Sequence, residues 1–367
     1  MTNQTAPRPL ATFVLSAVLL GGCVPDFATD LSELREPRLL AISSSPAETT
    51  GGKSVKLTAL VAVPEGAATP RLDWSLCLAR KSLTELGPVN PACLGNAADE
   101  PDEGTAGAAS TAAATPALQE LGGGSDVDAK LPTDVCKLFG PLRPSPMMGE
   151  PAGRPVDPDI TGGFYQPVVA KLGGVPSLGA IRIDCDPANL DRDVALSFRK
   201  QYRQNENPRI NVLTAVRSGT LTDLGAEPLE VKAGSNLELR ASLDDCPDSS
   251  TCGDGYCTAA EDATTCADDC KAGAAHGCSG AEHYVWYNRE TQRIEQRREA
   301  ITVAWYASSG HFESEQTGLA ESEARSGTQT SNVWHVGSPS GNATVWVVIR
   351  DSRGGQSWWT QRVSVGP

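Results

Sequence analysis

The chain has 367 residues, a formal net charge of −14 and only 5% aromatic residues. Two segments carry the acidity: residues 97–129 hold seven acidic and no basic side chains, and residues 244–282 hold nine acidic and one basic. Nucleic-acid binding needs a basic surface, so composition and charge exclude that class of partner.

The N-terminus has the layout of an export signal. Arg8 is the only basic residue before a short apolar run that ends in Leu20-Gly21-Gly22-Cys23. This run is too short to span a bilayer as a mature helix. Its ending resembles the bacterial lipobox, in which the signal peptide is removed before a lipid-modified Cys. The alternative is an ordinary signal peptide with an incidental Cys.

The lipobox resemblance implies a membrane anchor. Residues 1–22 would be a lipoprotein signal peptide, and Cys23 would carry the lipid, palmitate included, at the start of a tether over residues 23–36. Val24 stands where an inner-membrane retention signal would have Asp. We therefore expect the outer membrane rather than the inner one.

The remaining cysteines predict disulfide bonds. Of 11 Cys, ten remain once Cys23 is set aside, and an even number in an exported protein indicates oxidised pairs. The first four should pair among themselves, and so should the last six. Zinc binding by reduced Cys is the competing interpretation, which the export signal disfavours. The ten candidates are Cys77, Cys93, Cys136, Cys185, Cys246, Cys252, Cys257, Cys266, Cys270 and Cys278.

Residues 37–204 are predicted to form a first β-sandwich. Every second residue is apolar along 54–63, which is typical of a strand with one buried face. The next strand, 71–77, carries Trp74. This is the order seen in immunoglobulin-like sandwiches. Residues 97–129 interrupt the module and are predicted to be an acidic, low-complexity mobile loop. Further strands are predicted at 165–172, 180–183 and 194–198.

Residues 208–367 are predicted to form a second module of the same kind, after a boundary at Asn205-Glu206-Asn207-Pro208. Trp305 is the expected counterpart of Trp74. Strands are predicted at 209–213 and 236–243, and two hairpins at 283–296 and 343–365, the second turned by residues 351–355. The fold class is therefore all-β: two immunoglobulin-like β-sandwich modules with long loop insertions and a small disulfide-rich knot.

The last hairpin carries a resemblance. Its first strand and turn, residues 345–355, resemble those of bacterial Ig-like or PKD-like extracellular modules, which implies binding or spacer units without shared catalytic residues. With the lipobox ahead of two such halves, the chain resembles uncharacterised myxobacterial-type lipoproteins. That resemblance implies location and fold, and no chemistry.

The insert at 244–282 is the most specific internal pattern. The sequence from Cys252 to Cys270 resembles a short CGDGxC…CxxDC repeat of secreted proteins in the same bacteria, which implies a structural disulfide knot. Carboxylates gathered by disulfides are also what a calcium site needs. The calcium candidates are Asp254, Glu261 and Asp269.

Catalytic motifs are absent from the sequence. Neither a G-x-S-x-G nor an H-E-x-x-H pattern occurs, and the S-x-x-K match at Ser197 lacks its companion motifs. The four His show no ligand spacing. Adjacent Trp358 and Trp359 should point to opposite faces of a strand. The outward ring would either join Trp346 or Tyr306 in an exposed patch or pack across strands.

These observations predict an exported, lipid-anchored cell-envelope protein with a non-enzymatic binding, adhesion or spacer role, and no enzymatic cofactor. The alternatives are an accessory subunit of an envelope assembly and an enzyme of unrecognised type. The expected partners are the membrane, through the lipid, and an envelope protein or glycan.

Overall fold

Strand pairing builds two β-sandwiches from the two halves of the chain, and residues 31–367 cluster as one compact unit. The computed structural model describes residues 31–81, 88–94, 116–140, 160–187, 190–246, 252–253, 261, 263–270, 278–325, 327–338 and 340–367. Among these residues no helix is long and apolar enough to cross a membrane.

The described residues of the first module form eight strands, two short helices and a 3-10 turn. Its sheets have the orders β1-β3-β6 and β2-β8-β7-β4-β5 in the numbering that follows. The elements are β1 Arg38–Ser45, β2 Glu48–Thr49, β3 Ser54–Ala62, β4 Leu72–Cys77, the 3-10 turn Pro91–Leu94, β5 Leu118–Gly123, β6 Asp126–Lys130, α1 Val135–Leu138, β7 Gly163–Leu172, β8 Val175–Asp184 and α2 Arg192–Gln201.

In the described part of the second module there are twelve strands. Two five-stranded sheets have the orders β10-β9-β12-β18-β16 and β11-β20-β19-β15-β17, and β13 and β14 form a separate hairpin. The strands are β9 Ile210–Arg217, β10 Thr220–Asp223, β11 Leu229–Lys232, β12 Asn236–Leu243, β13 His283–Asn288, β14 Arg293–Arg298, β15 Ile301–Ala307, β16 Gly310–Phe312, β17 Gln316–Leu319, β18 Gln329–Val336, β19 Gly341–Asp351 and β20 Gln356–Gly366.

The two modules repeat one topology. In each, a short strand pairs in parallel with the last strand, β2 with β8 and β11 with β20. The Trp-bearing strand pairs with the penultimate one, β4 with β7 and β15 with β19. Trp74 and Trp305 are fully buried between their sheets, as expected. The predicted all-β fold of two immunoglobulin-like sandwiches is confirmed.

The acidic segment is partly structured, so the loop prediction for 97–129 is wrong over its second half. Residues 118–123 form β5 and residues 126–130 form β6. Ala129 is fully buried while Asp126, on the opposite face, pairs with Lys56 at 2.8 Å. Because so many residues of this segment are acidic, the alternation of inward-facing and outward-facing residues along β6 was hard to recognise in the sequence. Residues 97–115 lie outside the described part of the chain.

The strand predicted at 194–198 is wrong, because these residues belong to helix α2. Phe198 is buried and stacks on Tyr202, one helical turn later, with ring centroids 5.8 Å apart. Leu196 remains 58% exposed. The apolar residues of this segment fit both the two-residue period of a strand and the 3.6-residue period of a helix. The contact between Phe198 and Tyr202, which lie four residues apart, favours the helix.

The predicted tether at 23–36 is docked at its C-terminal end. Ser32 and Leu34 are buried, and the Leu34 amide donates to the Ala307 carbonyl at 2.8 Å. The Ser32 hydroxyl accepts a hydrogen bond from the Phe312 amide at 2.8 Å. This segment packs on the second module because Leu34 is buried among apolar residues there, including Ala304 and Trp346. The tether prediction is therefore wrong for residues 31–36.

Candidate functional site at the junction of the two modules

An apolar cluster joins the outer face of one sheet of the second module to the first module. Trp346 is 4% exposed and packs with Leu40 and Leu60 of the first module. Trp358 and Tyr306 border the cluster, while Trp359 packs on the core of its own module. The hypothesis of an exposed aromatic patch is therefore wrong: the rings that could have formed it are covered by strands β1 and β3 of the same chain.

Hydrogen bonds extend this contact along the edge of β20. The Ser43 hydroxyl donates to the Gln356 carbonyl at 2.7 Å, and Arg350 Nη2 donates to the Leu40 carbonyl at 2.7 Å. Asn207 contacts both modules: its Nδ2 donates to the Ser44 carbonyl at 2.8 Å and its Oδ1 accepts from the Gln356 amide at 2.9 Å. The predicted boundary at 205–208 is thus part of an interface.

Beside the apolar cluster lies a set of buried charged residues that we call the polar junction. All its members have relative exposures of 7% or less. They are Glu48, Arg182, Glu282, Glu299, Asp351 and Arg353. A charge removed from water is stable only when paired and hydrogen-bonded, so the contacts of each member matter.

Arg182 organises the half of the polar junction that belongs to the first module. Its partner across the parallel β2–β8 pairing is Glu48, and Nε lies 3.3 Å from Glu48 Oε2. Nη1 donates to the Tyr165 hydroxyl at 2.9 Å and Nη2 to Thr161 Oγ1 at 2.6 Å. Glu48 in turn accepts from the Asn205 amide at 2.8 Å and from the Tyr202 hydroxyl. The segment after α2 is therefore held by a carboxylate of β2.

Arg353 organises the half that belongs to the second module. It lies in the turn between β19 and β20, where its Nε donates to Glu299 at 2.6 Å and its Nη2 pairs with Glu282. Nη1 donates to the Arg203 carbonyl at 3.2 Å. Its guanidinium also lies over the ring of Tyr284, 5.2 Å from the centroid. Every side of this cation has a partner.

The Arg353 carbonyl connects the two halves. It accepts from the Tyr165 hydroxyl at 3.0 Å and from Arg182 Nη1 at 3.5 Å. A turn of the second module thereby satisfies donors on β7 and β8 of the first. The two modules share one hydrogen-bonded network.

Asp351 shapes the turn that presents Arg353. Its Oδ1 accepts from the Arg353 amide at 2.8 Å and the Gly355 amide at 2.9 Å, and its Oδ2 from Asn205 Nδ2 at 3.2 Å. Gly354 has φ of +99°, a conformation that glycine adopts without strain. A Cβ on Gly355 would overlap Asp351 Oδ2. The Gly-Gly pair is therefore what allows this turn to fold over its own carboxylate.

Burial dominates the electrostatics of the polar junction. Burial raises the pKa of Asp351 to about 7, against the backbone and Asn205 hydrogen bonds that lower it. Burial also raises the pKa of Glu299 well above its usual range and lowers the pKa of Arg353 to about 10. Burial therefore favours the neutral forms of these three groups, and the nearby charges of Arg182 and Arg298 act against it at Glu299.

Four of the predicted disulfides are described, and all four stay within the two groups of Cys. Cys77 is bonded to Cys93, Cys136 to Cys185, Cys246 to Cys278 and Cys252 to Cys266. Cys270 is also disulfide-bonded. Cys257 and the lipidation candidate Cys23 lie outside the described residues.

Two of the three calcium candidates fall in the described part of the knot. Glu261 and Asp269 are each 4% exposed. Asp269 Oδ2 accepts from the Gly253 amide at 2.5 Å and lies 3.1 Å from Cys266 Sγ. Asp269 thus has a structural task inside the knot. Asp254 lies outside the described residues, and calcium binding stays a prediction.

The polar junction was not anticipated from the sequence. Arg353 stands in a Gly-rich turn and Glu48 two residues after Pro46, positions where charged residues are usually solvated. One usable signal was present: Glu282 and Glu299 flank the first predicted hairpin, Arg353 lies in the turn of the second, and all three stand next to strand ends. Sequence alone gives no reason to bring them together.

No family model matches the chain, and no curated protein matches its sequence. The chain is similar to Escherichia coli alpha-2-macroglobulin activated by porcine elastase, with 12% identity over 92% of this chain and 22% of that one, and a TM-score of 0.18. It thus spans about a fifth of that protein. The D0–D1 domain of intimin has 8% identity over 89% of this chain and 99% of that one, with a TM-score of 0.18. The Yersinia pseudotuberculosis adhesin InvE has 8% identity over 89% of this chain and 60% of that one, with a TM-score of 0.18. At these TM-scores the similarities carry no functional argument, and the fold assignment rests on strand order.

Proposed function

We propose that this protein is an exported, lipid-anchored component of the cell envelope whose two modules act as one rigid, non-enzymatic body. Its role is to hold a binding surface at a fixed distance and orientation from the membrane. The observation that carries this proposal is the junction. Two sandwiches that share one buried polar network and one apolar cluster cannot turn freely about the connection at 205–208.

The chemistry of the polar junction also supports a non-enzymatic role. Burial shifts the pKa values of Asp351, Glu299 and Arg353, and such shifts are often found at catalytic sites. Here, however, every charged side chain is inaccessible to a substrate and directed to a partner of the same chain. Each module contains disulfide bonds, which is typical of proteins in an oxidising compartment outside the cytoplasm.

The experiment for rigidity is hydrogen exchange of the processed protein. The amides of Asn205 and Glu206 donate to Glu48 and Glu282 at 2.8 and 3.4 Å. We expect them to exchange as slowly as amides of the sandwich strands. Exchange within seconds, as in a flexible linker, would overturn the rigid-body proposal.

The nature of the partner is tested by crosslinking in native membranes, with the purified protein added to isolated envelope polysaccharide in parallel. An adhesion role predicts binding to polysaccharide. A spacer role predicts crosslinks to no single protein. A stoichiometric envelope protein would instead support the accessory-subunit alternative. Turnover of any small substrate class by the purified protein would contradict the non-enzymatic proposal.

A further inference from the structure

Two histidines that lie 24 positions apart in sequence stack on the outer face of the second module. His311 on β16 and His335 on β18 are direct cross-strand partners. Their ring centroids are 4.8 Å apart and their planes differ by 29°. His311 is exposed and His335 partly exposed, on the face of the sheet opposite the buried Phe312 and Trp334.

A neighbouring strand fixes the tautomer of one ring. Asn236 is the cross-strand partner of His335 on β12, and its Oδ1 lies 2.9 Å from His335 Nδ1. An amide oxygen only accepts, so His335 Nδ1 donates and the lone pair stands on Nε2. Metal-binding histidines are commonly held in this way, with the second ring nitrogen donating to an oxygen.

The backbone beneath the pair is held rigidly. On the opposite face of the same two strands, Phe312 and Trp334 are buried and stack with centroids 6.3 Å apart. Trp334 Nε1 donates to the Ser309 carbonyl at 3.1 Å. The spacing of the two histidines is therefore set by a packed core rather than by a loop.

We propose that His311 and His335 form a surface site for a divalent transition metal of the zinc, nickel and copper class. Imidazole nitrogen is a preferred ligand of these ions, at about 2.0–2.1 Å for zinc. Shared binding requires the His311 ring to rotate out of the stack until one of its nitrogens faces an ion held at His335 Nε2, while Asn236 keeps the His335 ring in place. Water completes the coordination, and the exposed carboxylate of Glu313, two residues after His311 on the same face, adds favourable negative charge.

The proposed site is distinct from the other cluster of ligand atoms in the described residues. That cluster consists of Cys252, Cys266 and Asp269. Its two sulfur atoms are joined in a disulfide and are not available as thiolates. The histidine pair therefore supplies two protein ligands and leaves open positions on the ion.

The test is titration of tag-free, metal-stripped processed protein with Zn²⁺ by calorimetry, and with Cu²⁺ by electron paramagnetic resonance. The variants are His311→Gln, His335→Gln and the double variant, with His283→Gln on β13 as the matched control. All four should melt as the wild type does in chelator. We expect one Zn²⁺ per chain at this site and nitrogen hyperfine coupling to Cu²⁺.

Each single substitution should weaken Zn²⁺ binding at least tenfold, and His283→Gln should leave it unchanged. Asn236→Ala should weaken it by about tenfold, because the ring loses its orienting partner. Binding that persists unchanged in the double variant would place the metal elsewhere and overturn the proposal. Absence of binding at millimolar Zn²⁺ would overturn it equally.

Discussion

Substitution of Arg353 by Met tests whether the polar junction stabilises the fold. Methionine matches much of the length of the side chain and removes its charge and donors. Glu282 and Glu299, whose side chains are 7% and 1% exposed, would then face each other without their cation. Breaking a buried ion pair on one side costs about 3–5 kcal/mol because the remaining charge stays buried. We expect a loss in that range.

The assay is denaturant unfolding at pH 7, followed by tryptophan fluorescence and circular dichroism. Arg362→Met is the matched control, since Arg362 lies exposed on β20 and donates to the Ala226 carbonyl at 3.2 Å. Its loss should change stability by less than about 0.5 kcal/mol. The triple variant Arg353→Met/Glu282→Gln/Glu299→Gln should regain part of the loss, because it removes the stranded charges along with the cation.

A cost for Arg353→Met below about 1 kcal/mol would refute this reasoning, because it would mean that water reaches the carboxylates. A triple variant less stable than the single one would also contradict it. In that case the carboxylates would contribute chiefly through their bonds to the Cys278 and Glu206 amides, which lie 3.1 and 3.4 Å from Glu282.

Three further predictions concern other parts of the chain. The pKa of Asp351 is raised from 3.8 to about 7, so its contribution to stability is full at low pH and is lost as pH rises through about 7. Relative to Asp351→Asn, the wild type should lose up to about 1.4 kcal/mol per pH unit between pH 4 and 7, and parallel pH curves would contradict the raised pKa. Cys23→Ala should abolish palmitate labelling and release the protein from membranes or leave it as precursor, while unlabelled wild type would exclude the lipoprotein hypothesis. Because the Asp269 carboxylate already accepts the Gly253 amide, we expect equal melting temperatures in millimolar Ca²⁺ and Mg²⁺, and a calcium-specific rise would assign the ion to the knot.

Local sequence pattern was sufficient to predict most of the fold. The hairpin predicted from 343 to 365 is β19–β20, with the predicted turn, because apolar alternation and a Gly-Gly turn are local signals. The burial of Trp74 and Trp305 was predictable because the residues two positions away, on the same face of each strand, are also apolar. The failures at 118–130 and 192–201 have one cause: a short segment with few apolar residues fits more than one structure until its packing partner is known.

The candidate site was not predictable in the same way, because its parts are related only through tertiary structure. Glu48 and Arg353 are separated by more than three hundred residues, and each stands in a turn or a very short strand. The same holds for His311 and His335, which become neighbours only through the pairing of β16 with β18. Strand register, and not spacing in the chain, brings these groups together.

The two kinds of contact at the junction have different physical consequences. The apolar cluster around Trp346 supplies burial, which is non-directional and would tolerate small rotations of one sandwich on the other. The polar junction tolerates none, because a shift of the Arg353 carbonyl away from Tyr165 and Arg182 leaves buried donors unsatisfied. We infer that apolar burial holds the modules together while the polar junction selects one angle between them. Tyr165→Phe, which removes the hydrogen bond to the Arg353 carbonyl, should therefore keep the modules associated but broaden the distribution of intermodule distances measured by pulsed dipolar spectroscopy between labels on β8 and β10. A distribution as narrow as that of the wild type would show that the apolar cluster alone fixes the angle.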